Sequence, residues 1–284
     1  TFQYKLGSML DKSRRVTALV EPLADAFAMT TEEKATALRA ATLCKADLVS
    51  HMVVEMTSLQ GIMGRYYALH SGETPAVAEA ISEHYLPRFT GDSLPASKPG
   101  LVVGIADRLD SLVGLFAAGL APTGTKDPFA QRRAAIGLIQ LLSDFNIDFD
   151  LGRWMKVAAA NLPLEASEQN LKACAEFITG RQRNNLIEQG YRYDVVDAVL
   201  AEQQNNPAGA LRAVKELSDW VARENWNIIL PAYARCVRIT RDQKETCTVD
   251  PQRFENPSEK ALYEELLRVE GSQRKKGSIA AVLE

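Results

Sequence analysis

Long apolar runs, clustered cysteines, clustered histidines and a net basic charge are all missing from this sequence of 284 residues. The stretch Leu112 to Leu120 is interrupted by small residues and closed by Pro122. It falls short of the ~18 apolar residues that a membrane helix needs, so no membrane span is expected. Cys44, Cys174, Cys236 and Cys247 form no C-x-x-C pair and have no histidine cluster beside them. That spacing favours reduced thiols in a cytoplasm over a disulfide framework or a zinc site. With 33 Lys+Arg against 36 Asp+Glu and a net charge of -3, contact with nucleic acid would have to use local basic patches. There is no G-x-x-x-x-G-K-[ST] loop, no G-x-G-x-x-G and no Ser-His-Asp set in a plausible context, so none of these catalytic motifs is expected to act here. The chain opens at Thr1 with neither a basic n-region nor an apolar h-region. No signal peptide is expected, and the missing Met points to a piece of a longer protein.

What is present is helical periodicity. Hydrophobic residues make up 46% of the chain, enough to bury one core or two. Val16, Leu19, Val20, Leu23 and Phe27 recur at the spacing of one helix face. Thr30 and Glu33 form a capping box that opens a second helix toward Leu43. Leu48, Met52, Met56, Leu59, Met63 and Tyr66 mark a third, with Gly61 and Gly64 inside it to permit close packing. Thr74-Pro75 starts a fourth, which Pro87 ends, and 91–100 reads as a surface loop. A fifth carries Leu101, Ile105, Leu109, Leu112 and Phe116, and a sixth is expected to open at Asp127-Pro128. The pattern resets near residue 150, where a domain boundary is placed between 1–150 and 151–284. Further helices are expected around Leu171–Ile187, Val195–Leu200, Leu211–Val221 and Ile229–Ile239, with a last one after Asn256-Pro257. No period-two strand competes, so the class is all-α. The tail Arg274, Lys275, Lys276 reads as solvated charge.

One constellation carries chemistry. Asp47, His51 and Glu55 stand at i, i+4 and i+8, where helical spacing aligns them, and His84 and Asp107 follow. Converging His and carboxylate groups are what a divalent-metal phosphohydrolase uses to deprotonate a bound water. A polar helix face with one buried, hydrogen-bonded histidine is the other reading, and spacing alone leaves both open. The order of these residues resembles the HD superfamily of helical metal-dependent phosphohydrolases, with Asp107 in Ile105-Ala106-Asp107-Arg108-Leu109-Asp110 as the late aspartate. The His-Asp pair of that family would fall at Ala46-Asp47. Alanine stands in place of the histidine, and the helix from Ser13 to Phe27 offers no histidine either. Ala46, Asp47, His84 and Asp107 are therefore vestigial positions of a degenerate site, and no metal is expected. A second expectation follows: Asp47, His84 and Asp107 survive as a polar cluster partnered by a base such as Lys45 or Arg108.

A longer resemblance runs through Lys45-Ala46-Asp47-Leu48, Leu59-Gln60-Gly61, Met63-Gly64, Glu83-His84-Tyr85, Pro87-Arg88, Ala106-Asp107-Arg108-Leu109-Asp110 and Pro122-Thr123-Gly124. It reaches Lys126-Asp127-Pro128-Phe129-Ala130-Gln131-Arg132-Arg133-Ala134-Ala135. These runs, in order over Lys5 to Asp144, resemble the beta subunit of bacterial glycine–tRNA ligase. The second half is similar through Gly180-Arg181, Gly190-Tyr191 and Ala232-Tyr233, though Ala234-Arg235-Cys236-Val237-Arg238-Ile239 keeps only the Arg and Ile of the family's Lys-Arg-x-x-Asn-Ile run. The resemblance implies an HD-like helical bundle followed by part of a DALR-type anticodon-binding region. It implies glycine tRNA and an alpha subunit as partners in an alpha2beta2 assembly, with ATP and Mg used in alpha and no catalytic residue or cofactor in this segment. Candidate RNA contacts are Lys126, Arg132 and Arg133 at a helix N-terminus whose free N–H groups favour an anion, and Arg235, Arg238 and Arg241 along one stripe near Tyr233. Arg181 and Arg183 are weaker candidates. A metal-dependent HD phosphohydrolase and a subunit-interface scaffold without RNA contact are the alternatives.

Overall fold

The computed structural model describes residues 3–89, 91–242 and 248–271. Cys247 and the Arg274–Lys276 tail lie outside the described residues. The first half comprises α1 (Met9–Ala26), α2 (Thr31–Leu43), α3 (His51–Glu55), α4 (Ile62–His70), α5 (Pro75–Glu83), α6 (Lys98–Ala117) and α7 (Gln131–Asp144). Then come α8 (Leu151–Ala159), α9 (Glu168–Glu188), α10 (Tyr193–Gln203), α11 (Pro207–Val221), α12 (Trp226–Thr240) and α13 (Pro257–Gly271). Among the described residues the only extended pairings are two isolated bridges, Gln3 with Gly7 and Thr123 with Lys126. The class is all-α. No helix of the described residues is long and apolar enough to cross a membrane.

The axis of the fold is α6. It is buried almost all round, from Pro99 to Phe116, with the charged Arg108 and Asp110 buried along with its apolar residues. Packed on it are α1, α2, α5, α7, α8 and α9. Its own small residues admit close neighbours: a Cβ on Gly104 would sit 3.0 Å from the His84 carbonyl oxygen. The stripe read from α1 is in the core, with Val16, Leu19, Val20 and Leu23 fully buried. The main core does not stop at residue 150, because Phe149, Leu151, Trp154, Met155, Cys174 and Ile178 join the residues of the first half. A smaller cluster, Leu186, Val195, Val196, Val199, Leu200 and Val214, ties α9, α10 and α11 together. By contrast α12 buries no residue.

Three local expectations are corrected. The third helix is not continuous: residues 46–49 and 57–59 are short 3-10 turns flanking α3, and α4 begins only after Gly61. Gly61 has φ +79 and a Cβ there would meet the Tyr85 ring at 2.4 Å, so it breaks the helix and packs closely at once. Gly64 does pack closely within α4, 2.8 Å from the Ile81 methyl by the same measure. The sixth helix starts at Gln131 rather than at Asp127-Pro128, after Ala130 in the left-handed region. Pro128 lies in the preceding turn. The loop expected over 91–100 ends early, since Ser97 caps α6 and Pro99 and Gly100 sit in its first turn.

Candidate functional site

The five residues read as a metal constellation are not brought together. His51 and Glu55 project outward on α3, with side chains 91% and 67% exposed. Asp47 is buried, and its Oδ2 accepts from the N–H groups of Gly61 at 2.6 Å and Gly64 at 3.1 Å. It thus serves the exposed donors at the start of α4 rather than a cation. Ala46 offers no ligand atom.

His84 and Asp107 do meet, through lysine. At the end of α5, His84 donates from Nδ1 to the Ile81 carbonyl at 2.6 Å, which leaves Nε2 as the acceptor; Lys45 Nζ lies 2.8 Å from it. The same ammonium is 3.1 Å from Asp107 Oδ2 and 4.1 Å from the centre of the Tyr85 ring. Lys12 Nζ takes the other oxygen of Asp107 at 2.9 Å and reaches Asp110 Oδ2 at 3.1 Å. Asp110 in turn holds Arg15, with Nε on Oδ1 at 2.6 Å and a terminal nitrogen on Oδ2 at 3.2 Å. A chain of polar contacts runs from α1 through α6 to Lys45, just after α2, and on to His84 at the end of α5, all of it inside the bundle. Arg108 points away from these carboxylates. Its guanidinium donates to the carbonyls of His84, Gly104, Tyr85, Leu86 and Pro87 at 3.0–3.1 Å. Of the two bases named from sequence as partners of the cluster, Lys45 fills the role and Arg108 does not.

The donor set does not fit a divalent metal. The His84 lone pair and both Asp107 oxygens face ammonium groups, and Asp47 is engaged by backbone N–H groups. Among the described residues no group of three His, Cys, Asp or Glu side chains could hold a metal ion.

The electrostatics follow from burial. His84 is held well below its ordinary 6.5, first by desolvation and then by the Lys45 charge. For Asp107 burial pushes the other way, yet Lys12 and Lys45 hold it well below the carboxylate range. For Lys45 burial favours the neutral amine, but Asp107 and Tyr85 keep its pKa above the ordinary value. Tyr85 is pushed up to about 12, chiefly by burial. Burial also raises Cys44 to about 11 and Cys174 to about 12, so these free thiols stay protonated.

These directions predict acid sensitivity. Below the unfolded value of about 6.5 the unfolded chain binds a proton at His84 that the folded chain refuses, so stability falls as pH falls. Between pH 6.5 and 5.5 the wild type is expected to lose about 1 kcal/mol more than His84→Gln. Asp107 adds a further loss below about pH 4, where the unfolded carboxylate protonates first. Urea titrations at several pH values check it; parallel stability curves for the two proteins would refute the His84 assignment.

The RNA candidates lie elsewhere. The N–H groups of Gln131 and Arg132, set aside for an external anion, already bond to Asp127 at 2.8 and 2.9 Å. This corrects the anion niche: the chain's own carboxylate fills it. Arg132 donates to the Gly124 carbonyl, whereas Lys126 and Arg133 are exposed. Arg235 and Arg238 are exposed on α12, and Arg241 is its C-terminal cap; Arg238 Nε donates to the Ala234 carbonyl at 3.3 Å. Arg183 pairs with Asp197 at 2.5 Å, and Arg181 lies over the Phe177 ring. Sequence reasoning missed the Lys12, Arg15 and Asp110 partnership. Its signal was visible, since Lys12 and Arg15 stand four residues before Val16 and Leu19, on the core stripe.

Fold and site together define an all-α protein whose polar centre is closed by its own side chains. The family model for the glycyl-tRNA synthetase beta subunit matches residues 1–201. The chain belongs to that family. Glycine–tRNA ligase beta subunits of Moorella thermoacetica and Desulforudis audaxviator are 39% and 40% identical over 275 and 272 residues, each alignment covering 94% of this chain. A chloroplastic/mitochondrial glycine–tRNA ligase of Arabidopsis thaliana is 39% identical over 264 residues, 92% of this chain and 25% of its own length. The chain spans 39% of the length of the two bacterial relatives.

Proposed function

We propose that this chain is a tRNA-holding portion of a glycine–tRNA ligase beta subunit, supporting ATP-dependent attachment of glycine to its tRNA. The observation that carries this reading is the family match over residues 1–201. In it the chain works in the cytoplasm beside an alpha subunit in an alpha2beta2 assembly, and ATP and Mg act in alpha. The first half, to about residue 150, is the HD-like bundle and the remainder leads into an anticodon-binding-like region. The lysine-filled centre favours this reading over a metal-dependent phosphohydrolase, because Lys45 and Lys12 stand where ligand atoms would need to be free.

Lys126, Arg133, Arg235 and Arg238 are the phosphate contacts in this reading, with Arg132 and Arg241 at their margins. Binding of a glycine tRNA transcript to wild type, Lys126→Ala/Arg133→Ala and Arg235→Ala/Arg238→Ala tests it. Each lost phosphate contact is expected to flatten the slope of log affinity against log salt by about 0.9 for duplex and about 0.7 for single strands. Equal slopes for all three would discard these contact residues. No binding by the wild type would favour a subunit-interface scaffold.

A further inference from the structure

Two hollows of about 240 Å³ each adjoin along one side of α7. One lies between α7, α9 and α11; the other lies between α7 and residues 87–89. Ile136 and Gln140 line both, so they form one groove. At the outer end stand Phe89, 63% exposed, and Arg133. At the inner end Lys215 is exposed, and neither it nor Arg133 has an ion-pair partner among the described residues. Between these cations the wall carries the amides of Gln140, Gln182, Asn185 and Gln189, with Ser143 and the exposed Asp144 carboxylate at its edge.

Gln182 is the informative one. It is 1% exposed, and its Nε2 donates to the Pro207 carbonyl at 2.9 Å, which fixes which way the amide faces. Its Oε1 is buried with no protein donor. An acceptor left this way is disfavoured unless something brings it an N–H or O–H group. Nearby, Gln189 Nε2 donates to the side-chain Oδ1 of Asn185, which leaves the Asn185 amide protons and the Gln189 side-chain oxygen open. Donors and acceptors therefore alternate on a wall floored by Ile136 and Leu211.

We propose that this groove holds unpaired nucleotides of the tRNA: one base enters the amide-lined hollow, a neighbour stacks on Phe89, and Arg133 and Lys215 meet the backbone phosphates. The proposal rests on the tRNA-holding reading and locates its single-stranded contact. Aromatic faces beside free cations suit sequence-tolerant stacking, and amide side chains suit the mixed edges of a base. A rigid duplex offers neither an exposed base face nor an edge that could enter so narrow a hollow.

The test uses the full 284-residue chain, a glycine tRNA transcript, a single-stranded RNA oligonucleotide and an RNA hairpin of equal length. The single strand is expected to compete with the tRNA and the hairpin is not. Phe89→Ala is expected to weaken single-strand binding roughly ten- to a hundredfold, the range of one lost base stack, with the salt slope retained. Lys215→Ala should lower that slope by about 0.7. Gln182→Leu removes the open acceptor; because it is buried, Asn185→Ala on the same wall serves as its surface counterpart, and thermal melting confirms that each variant is folded. If wild type binds tRNA and all four variants bind alike, the groove assignment is overturned while the tRNA-holding reading stands. If wild type binds no tRNA, both fall. If the variants instead lose association with the partner subunit and keep RNA binding, the groove takes a protein segment and the proposal is wrong.

Discussion

Replacing Lys45 by methionine is expected to lower the free energy of unfolding by about 3–5 kcal/mol, the usual consequence of removing one side of a buried ion pair. The residue is buried and its ammonium serves three groups at once: His84 Nε2, Asp107 Oδ2 and the Tyr85 ring. Methionine fills similar volume but leaves a carboxylate oxygen and an imidazole lone pair without a donor in a low-dielectric interior. The double variant Lys45→Met/Asp107→Asn is expected to recover part of the loss, since it removes the stranded charge along with its partner. Urea unfolding at pH 7.5 gives the numbers, and a loss under about 1 kcal/mol would contradict the buried geometry. Elemental analysis of the same wild-type protein is expected to find no stoichiometric divalent metal, and about one Mn, Fe or Zn per chain would do equal damage to this account.

Much of the fold could be read from the sequence because its determinants are local. The Thr30/Glu33 capping box exists with both reciprocal bonds, at 3.2 and 2.8 Å, because three residues and two side chains define it. The α1 stripe and the start of α5 at Thr74-Pro75 are equally local. The break between residues 46 and 62 was not legible: Met52, Met56, Leu59 and Met63 keep helical spacing, while Met52 and Met56 are about half exposed. What overrides the spacing is a distant side chain, Asp47, reaching over to the N–H groups of Gly61 and Gly64. The α7 boundary failed for a related reason, since Asp127 caps this helix from outside its first turn. Periodicity reports which residues seek a core; it does not report which backbone donors a remote carboxylate will claim.

For the site, residue types were legible and their assignment was not. Asp47, His84 and Asp107 were correctly read as buried or nearly so, and lysine as a partner. Their separation into two units, Asp47 on a helix start and His84 with Asp107 on lysine, depends on where α4 sits relative to α5. Ala46 offers no ligand atom, and the buried ammonium groups of Lys45 and Lys12 supply the positive charge at the centre of this bundle. A polar centre of this kind binds α1, α5 and α6 into one unit. It also leaves contact with other molecules to the exterior, where Phe89, Arg133 and the α12 arginines are exposed.

Arg108→Lys is expected to be nearly as damaging as the loss of Lys45, although it keeps the charge. The guanidinium fork satisfies five carbonyls, four of them in the consecutive run His84 to Pro87 that leaves α5. His84 is the C-cap of α5 and the next three residues follow it, so these carbonyls have no partner within the helix, while α6 packs on α5 beside them. Room for the fork is made by two glycines: a Cβ on Gly104 would lie 3.1 Å from one terminal nitrogen, and a Cβ on Gly137 would lie 2.7 Å from Nε. Burial lowers the Arg108 pKa to about 10, which still leaves it charged at neutral pH. Lysine carries three donors on one point and cannot span the same arc, so two or more carbonyls lose their partners. With each bond to a charged donor worth about 1.5–3 kcal/mol, a loss of about 3 kcal/mol or more is expected in urea unfolding. Gly137→Ala should displace the same fork from the α7 side and act in the same direction. Phe89 follows directly on this corner, so both variants are also expected to weaken single-stranded RNA binding while retaining the salt slope set by Arg133 and Lys215. Unchanged stability in Arg108→Lys would show that the five carbonyls do not depend on the fork. A stability loss with RNA affinity intact would separate the corner from the groove.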